Sequence, residues 1–310
     1  MTYEAFWQPL TAIYETSEAK AVTRLVAEVR CGLTLADLMM GKEMTNVEDV
    51  LQRLLTGEPV QYVLGQAEFC GRKFHVAPGV LIPRPETEEL CRWVMGERLR
   101  VGELCSGIRW KVMGDGCRIL DIGTGSGCIA ITLAAEMPEA EVEAWDISDN
   151  ALRIARHNAE HLGVHVDFKQ VDVLSPITYH PSPITHHPSP STHHPSPITH
   201  HPSPITYHLI ISNPPYVCES EASTMESWVL NHEPKEALFV PNSDPLLFYR
   251  HIAHFALTAL EDDGRLYFEI NPHYCDELRQ LLTGMGFKDI QVRNDQFNKQ
   301  RMICACKRKR

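Results

Sequence analysis

The sequence predicts an α/β protein, with a mostly parallel, Rossmann-like sheet covered by helices on both faces and a small helical domain before it. Three observations carry that prediction. From residue 118 onward, short apolar runs alternate with amphipathic helical runs. A glycine-rich stretch, DIGTGSG (121–127), sits at the first junction between them. Residues 1–60, by contrast, read as helix.

Taken in order, Ser17 is placed to cap a helix through EAKAVTRLVAEVRCG, which Gly32 stops. Thr45 or Asn46 is placed to cap VEDVLQRLLTG, ended by Gly57 and Pro59. Three or four such helices make a small bundle. Across 61–84 the period changes, and Phe69, Phe74 and Val76, with Gly71 among them, predict a hairpin. LIPRPETEELCRWVMGERL (81–99) reads as a proline-bounded turn and an acidic helix start. RILDI (118–122) is a buried strand, with a helix from Cys128. VEAWDI (142–147) is the second strand; its following helix, ALRIARHNAEHLG, takes Ser148 or Asp149 as cap and Gly163 as stop. VDFKQVDVL (166–174), LIIS (209–212) and RLYFEI (265–270) supply three more strands, with the helix LLFYRHIAHFALTAL (246–260) before the last of them. A helix near 274–284 follows. KDIQVRN (288–294) and RMICACK (301–307) have no helix between them, so they are expected as an antiparallel pair.

Composition narrows the function. The 310 residues carry 40 acidic against 29 basic groups, a net charge of −11, which argues against stable binding to nucleic acid through a broad basic face. The basic end KRKR (307–310) reads as a solvated tail. No apolar run reaches the ~18 residues of a membrane helix, and the N-terminus lacks the order of a signal peptide. Ten scattered Cys contain no CxxC pair. Cys304 and Cys306 alternate within an apolar strand run, where core packing explains both. A reduced cytoplasm is the expected location, and no metal site is expected.

The 16 His and 21 Pro are uneven, with 8 of the His and 9 of the Pro falling in 175–208. That segment is a seven-residue tandem repeat: SPITYHP, SPITHHP, SPSTHHP, SPITHHP, SPITYH. Each unit has about one apolar residue, too little to offset its ordering entropy. An inert, extended, disordered loop is expected. Removing 181–208 joins DVLSPITYH to LIISNPPY and leaves an ordinary strand connection in a 282-residue chain.

Two motifs carry chemistry. In DIGTGSG the glycines let backbone approach a ligand, and the helix that follows offers free N–H groups. Gly123, Thr124, Gly125, Ser126 and Gly127 are the candidate cofactor cradle. Asp146 ends the second strand, 19 residues beyond Gly127, where a carboxylate can accept from both ribose hydroxyls. Asp172 closes the third strand and can take an adenine amino group; a turn-forming Asp is the alternative. The spacing is GxGxG rather than GxGxxG, and no nearby Lys or Arg meets a pyrophosphate, so S-adenosylmethionine is the expected cofactor. SNPPY (212–216) follows the fourth strand directly. The two prolines stiffen that turn. The Asn213 side-chain carbonyl and the Pro214 backbone carbonyl can then accept both N–H groups of a planar amide or amine. Pro215 holds the turn, and Tyr216 can stack on the planar group.

GEPVQYVLG (57–65), VLIPRPETEEL (80–90), ILDIGTGSGCIAITLA (119–134), AWDIS (144–148), NPPY and EPKEAL (233–238) together give the chain a resemblance to the release factor glutamine methyltransferases. NPPY alone also occurs in nucleic-acid amino methyltransferases, which are the alternative reading. A non-catalytic binding module built around the repeat is a second rival. The resemblance implies a seven-stranded class I methyltransferase domain at 101–310, interrupted by the repeat. It implies a helical substrate-recognition domain at 1–75 and a hairpin and linker with PRPETE at 76–100. It further implies methyl transfer to the side-chain amide nitrogen of Gln in the GGQ tripeptide of class 1 peptide-chain release factors, by a monomer. Arg84 and Glu86 of PRPETE would brace the site, although an Arg84–Glu86 surface pair would also fit. Three departures stand out: Val173 where an aromatic is common beside adenine, EINPHY (269–274) in place of a Gly and Gln, and the repeat itself.

Overall fold

The computed structural model describes residues 1–99, 116–175 and 206–307. The chain begins with five helices: α1 (Tyr3–Leu10), α2 (Thr16–Cys31), α3 (Leu35–Met39), α4 (Glu48–Leu55) and α5 (Val60–Leu64). They close around Phe6, Leu10, Val26, Met44 and Leu54, all buried. Gly32 ends α2 in the left-handed region, as expected. The two starts differ from expectation. Glu15 and Val47 are the N-cap residues, because the Ala19 and Leu51 N–H groups bond to the Glu15 and Val47 carbonyls at 2.8 and 2.9 Å. Asn46, at φ 54°, lacks the extended backbone a cap needs.

A hairpin follows, β1 (Gln66–Phe69) and β2 (Arg72–His75), turning through Cys70 and Gly71. It lies wholly upstream of 76–100. Residues in that stretch form a helix, α6 (Pro85–Leu99), and Leu90 and Trp93 of α6 join Phe69 and Phe74 in the core beneath the main sheet. The stretch is therefore packed structure rather than linker.

The main sheet has seven strands. β3 (Arg118–Ile122), β4 (Glu141–Asp146), β5 (Asp167–Gln170), β6 (Tyr207–Ser212) and β9 (Leu260–Glu269) run parallel; β11 (Gln300–Cys306) runs antiparallel between β9 and the edge strand β10 (Lys288–Asn294). Their spatial order is β10-β11-β9-β6-β3-β4-β5. Helices α7 (Cys128–Glu136), α8 (Asp149–Leu162), α10 (Leu247–Ala259) and α11 (Cys275–Gly284) complete the layers. Side chains alternate between faces. Ile211 and Tyr267 face the core holding α6 and α7; their neighbours Ile210, Leu266 and Phe268 face α10 and α11. Cys304 and Cys306 are buried in β11, in agreement with the core reading.

Two strands depart from expectation. β5 is short, and Asp172 lies two residues beyond it. β6 starts early: Tyr207 and His208, the last letters of the repeat, are strand residues. Tyr207 is 1% exposed, and His208 Nδ1 accepts the Arg118 N–H at 3.1 Å. Buried aromatic surface and a strand partner hold these two in place. The expectation of a disordered loop therefore does not hold for Tyr207 and His208; its 176–205 portion lies outside the described residues. A short parallel pair absent from the sequence reading, β7 (Val217–Cys218) and β8 (Phe239–Val240), flanks α9 (Ser227–His232).

Candidate active site

From β3 the chain moves outward to β4 and β5, then returns to place β6 on the other side of β3. Open α/β sheets bind ligands at the strand ends where the order reverses. Here Ile122 and Ser212 are register partners, and Ser212 Oγ donates to the Ile122 carbonyl at 2.6 Å. The glycine turn and NPPY therefore leave the sheet side by side.

The turn is held by backbone. The Gly123 and Thr124 N–H groups both donate to the Trp145 carbonyl, at 2.8 and 3.0 Å. Gly123, Gly125 and Gly127 all have positive φ. At Gly127 a Cβ would come within 2.7 Å of Ile131 Cδ1 and 3.1 Å of Ala155 Cβ, so α8 packs onto the turn only because glycine is there. Beneath it Asp121 is wholly buried. Its Oδ2 accepts from Thr124 Oγ1 at 2.7 Å and the Ala130 N–H at 3.2 Å, and burial pushes its pKa up to about 7.

Asp146 ends β4 with both oxygens oriented. Oδ2 accepts the Gly125 N–H and Oδ1 the Ser148 N–H, each at 2.9 Å. Each oxygen keeps a second lone pair. Burial raises its pKa, while the two N–H groups favour the carboxylate. Ser148 is the actual cap of α8, accepting the Ala151 N–H. Asp172, expected near the adenine, has its carboxylate engaged in a turn, accepting the Leu174 N–H at 2.9 Å and Ser175 Oγ at 2.7 Å. It also lines the cavity.

A cavity of ≈ 450 Å³ opens at this point, lined by Gly123 to Ser126, Asp146, Asp172 and Asn213 to Pro215. Gly127 supports the turn from outside the lining. Among the described residues Arg84 is the one basic group on this wall, against Asp146, Asp172 and Glu236. Such a wall suits a neutral or cationic nucleoside better than a pyrophosphate. Val173 lines it as well, and Phe248 from α10 adds an aromatic surface that the sequence reading missed. A second cavity of ≈ 140 Å³ adjoins it, lined by Tyr216, Val229 and Glu269 among others. Asn213 and Arg84 line both.

Around Asn213 the structure adds two residues the sequence did not reveal. Asn213 Nδ2 donates to Thr87 Oγ1 at 3.1 Å, Thr87 Oγ1 donates to Glu269 Oε2 at 2.6 Å, and Tyr216 OH donates to Glu269 Oε1 at 3.0 Å. Thr87 and Glu269 are buried. EINPHY thus buttresses NPPY: besides Glu269, Asn271 Nδ2 donates to the Tyr216 carbonyl at 3.1 Å. The one available signal was that Thr87 sits in PRPETE and Glu269 ends a strand beside NPPY.

Arg84 does not pair with Glu86. Its Nη2 donates to Glu233 Oε1 of EPKEAL at 2.6 Å, and its guanidinium lies 5.3 Å from the Trp228 ring centre. Glu86 lines neither cavity; Thr87, one residue later in the first turn of α6, points to the site instead. The alternative Arg84–Glu86 surface pair is therefore not formed.

The same architecture appears in comparisons with known proteins. A family model described as a methyltransferase domain matches residues 113–184. A release factor glutamine methyltransferase from Bacteroides thetaiotaomicron is 41% identical over 305 residues, covering 96% of each chain. One from Flavobacterium psychrophilum is 35% identical, covering 96% of this chain and 95% of the relative. One from Chlorobaculum tepidum is 39% identical over 83% of this chain and 77% of the relative. Identity of that order over both the helical bundle and the sheet goes beyond a shared fold, and this chain belongs to the release factor glutamine methyltransferase family.

Proposed function

We propose that the protein transfers a methyl group from S-adenosylmethionine to the side-chain amide nitrogen of Gln in the GGQ tripeptide of class 1 peptide-chain release factors. The observation that carries this reading is Asn213, standing at the wall shared by the two cavities. The larger cavity fits the cofactor: positive-φ glycines leave the floor free of side chains, and Asp146 offers two oriented oxygens to ribose. When bound, the cofactor supplies an electrophilic methyl on a sulfonium. The smaller cavity fits a narrow planar side chain. Its amide N–H groups would donate to Asn213 Oδ1 and the Pro214 carbonyl, which turns the nitrogen lone pair toward the larger cavity.

An amide nitrogen is a poor nucleophile because its lone pair is delocalised. Bonds from both N–H groups to fixed carbonyls stabilise the positive charge that grows during attack, and the nitrogen proton becomes acidic as the new bond forms. Catalysis by this chain is therefore positioning, with no strong base needed. Arg84, fixed by Glu233 and Trp228, braces the wall between the cavities. The helical bundle, α1 to α5, would hold the body of the release factor, and the enzyme would act as a cytoplasmic monomer. No helix among the described residues is long and apolar enough to cross a membrane.

Incubation with labelled S-adenosylmethionine and release factor, its GGQ-to-GGA variant, or DNA tests the reading. Label on the intact release factor alone supports it. Label on DNA supports a nucleic-acid amino methyltransferase, and no label on any substrate supports the binding module.

A further inference from the structure

We propose that Thr87 and Glu269 are positioning residues that determine which end of the Asn213 amide faces the substrate. The inference rests on the amide-methylation reading and follows from counting hydrogens. An ionised carboxylate has no hydrogen to give, so Glu269 accepts from both Thr87 and Tyr216. A threonine hydroxyl has one hydrogen, and here Glu269 takes it. Towards Asn213, Thr87 Oγ1 is then only an acceptor, and only the NH₂ end of the amide can meet it. The carbonyl end is left for the shared wall of the cavities, where an incoming amide brings N–H donors.

Reverse that count and the site fails. A proton on Glu269 Oε2, or an amide NH₂ in the place of that oxygen, supplies a donor to Thr87. The Thr87 hydrogen is then released to Asn213 Oδ1, and the side chain turns its NH₂ towards the substrate. Two NH₂ groups would face each other, with no acceptor to orient the nucleophile. The charge on buried Glu269 is therefore part of the positioning device. The groups facing Glu269 are Thr87 and Glu86 of α6, Tyr216 after β6, Tyr249 of α10 and Arg301 of β11. Arg301 favours the charged form and is itself held by Asp295 at 3.5 Å; burial and Glu86 oppose it.

The test compares wild type, Thr87→Val, Thr87→Ser and Glu269→Gln with release factor as substrate. Turnover is read at saturating cofactor, alongside cofactor Kd by calorimetry and Tm. Saturation keeps Asp146, whose pKa is also raised, out of the turnover profile. Thr87→Val and Glu269→Gln are expected to lower kcat about 10²-fold, with cofactor Kd unchanged. Thr87→Ser restores kcat. Wild-type kcat falls on acidification as Glu269 protonates, and this acid limb is missing from the residual activity of Glu269→Gln. If Thr87→Val does not fold, Glu269→Gln and the pH profile decide alone. Unchanged kcat in Glu269→Gln, or parallel losses in kcat, cofactor Kd and Tm, overturn the proposal. A wild type that labels GGQ while the variants match it sinks this inference and leaves the function intact; a wild type that labels nothing sinks both.

Discussion

The two halves of the cleft are held by different kinds of bond. The half against the glycine turn is fixed by backbone: Gly123 and Thr124 hang from the Trp145 carbonyl, and Gly125 and Ser148 clamp Asp146. Its members come from two short stretches next to β3 and β4. The half around Asn213 is fixed side chain to side chain, through Thr87, Tyr216 and Glu269, which lie far apart in the chain. Backbone bonds survive most substitutions of the residues that make them. A side-chain relay depends on every member having the right donors. The first half should therefore respond to mutation through affinity, and the second through turnover.

The sharpest way to separate the halves is Asn213→Ala, which removes the carbonyl at the wall both cavities share. Loss of one well-placed group that stabilises growing charge costs about 10²- to 10³-fold in turnover. Cofactor binding, read by calorimetry, should persist. Asp146→Ala should do the opposite. Charge-assisted hydrogen bonds contribute about 1.5–3 kcal/mol, so cofactor Kd should weaken about tenfold to a hundredfold, with kcat recovered at saturation. Burial raises the Asp146 pKa, so wild-type affinity is full at high pH and fades on acidification at a higher pH than for an ordinary aspartate. A titration of Kd against pH checks that direction.

Gly127→Ala probes the frame rather than either half. Its Cβ would press on Ile131 and Ala155 at a φ of 83°. Overpacking of this kind costs about 1–3 kcal/mol, and thermal unfolding should show a lower Tm. The smallest effect is expected from deleting 181–208. Tyr179 and His180 then precede LIIS, in place of Tyr207 and His208, and keep the same letters at the start of β6. Turnover, cofactor affinity and Tm should all match the full chain; a loss in any of them would give the repeat a role.

How far the sequence could be read follows the same division. Strand–helix alternation, the glycine turn, Asp146 and NPPY are contiguous signals, and each lies where their local pattern predicts. The pattern also placed the antiparallel β10–β11 pair, because no helix separates those strands. Thr87 and Glu269 lie in motifs the sequence marked, PRPETE and EINPHY, but nothing local joins them to Asn213. Their meaning comes from strand order, which brings the end of β9 beside β6, and from α6, whose first turn reaches that edge. Arg84 was expected to brace the site, but its partner Glu233 lies 149 residues away and no local pattern points to it. The start of β6 was misread because Tyr207 and His208 look like one more repeat unit. Their place in the strand shows only in the burial of Tyr207 and the β3 partner of His208.

The central claim is that this cleft methylates one amide nitrogen. Mass spectrometry of the release factor after turnover with S-adenosylmethionine addresses it directly. The account predicts one added methyl on the side-chain amide of the GGQ glutamine with wild-type enzyme, formed about 10²- to 10³-fold more slowly with Asn213→Ala at the same cofactor occupancy. A methyl on any other residue, or equal methylation by the variant, would contradict it.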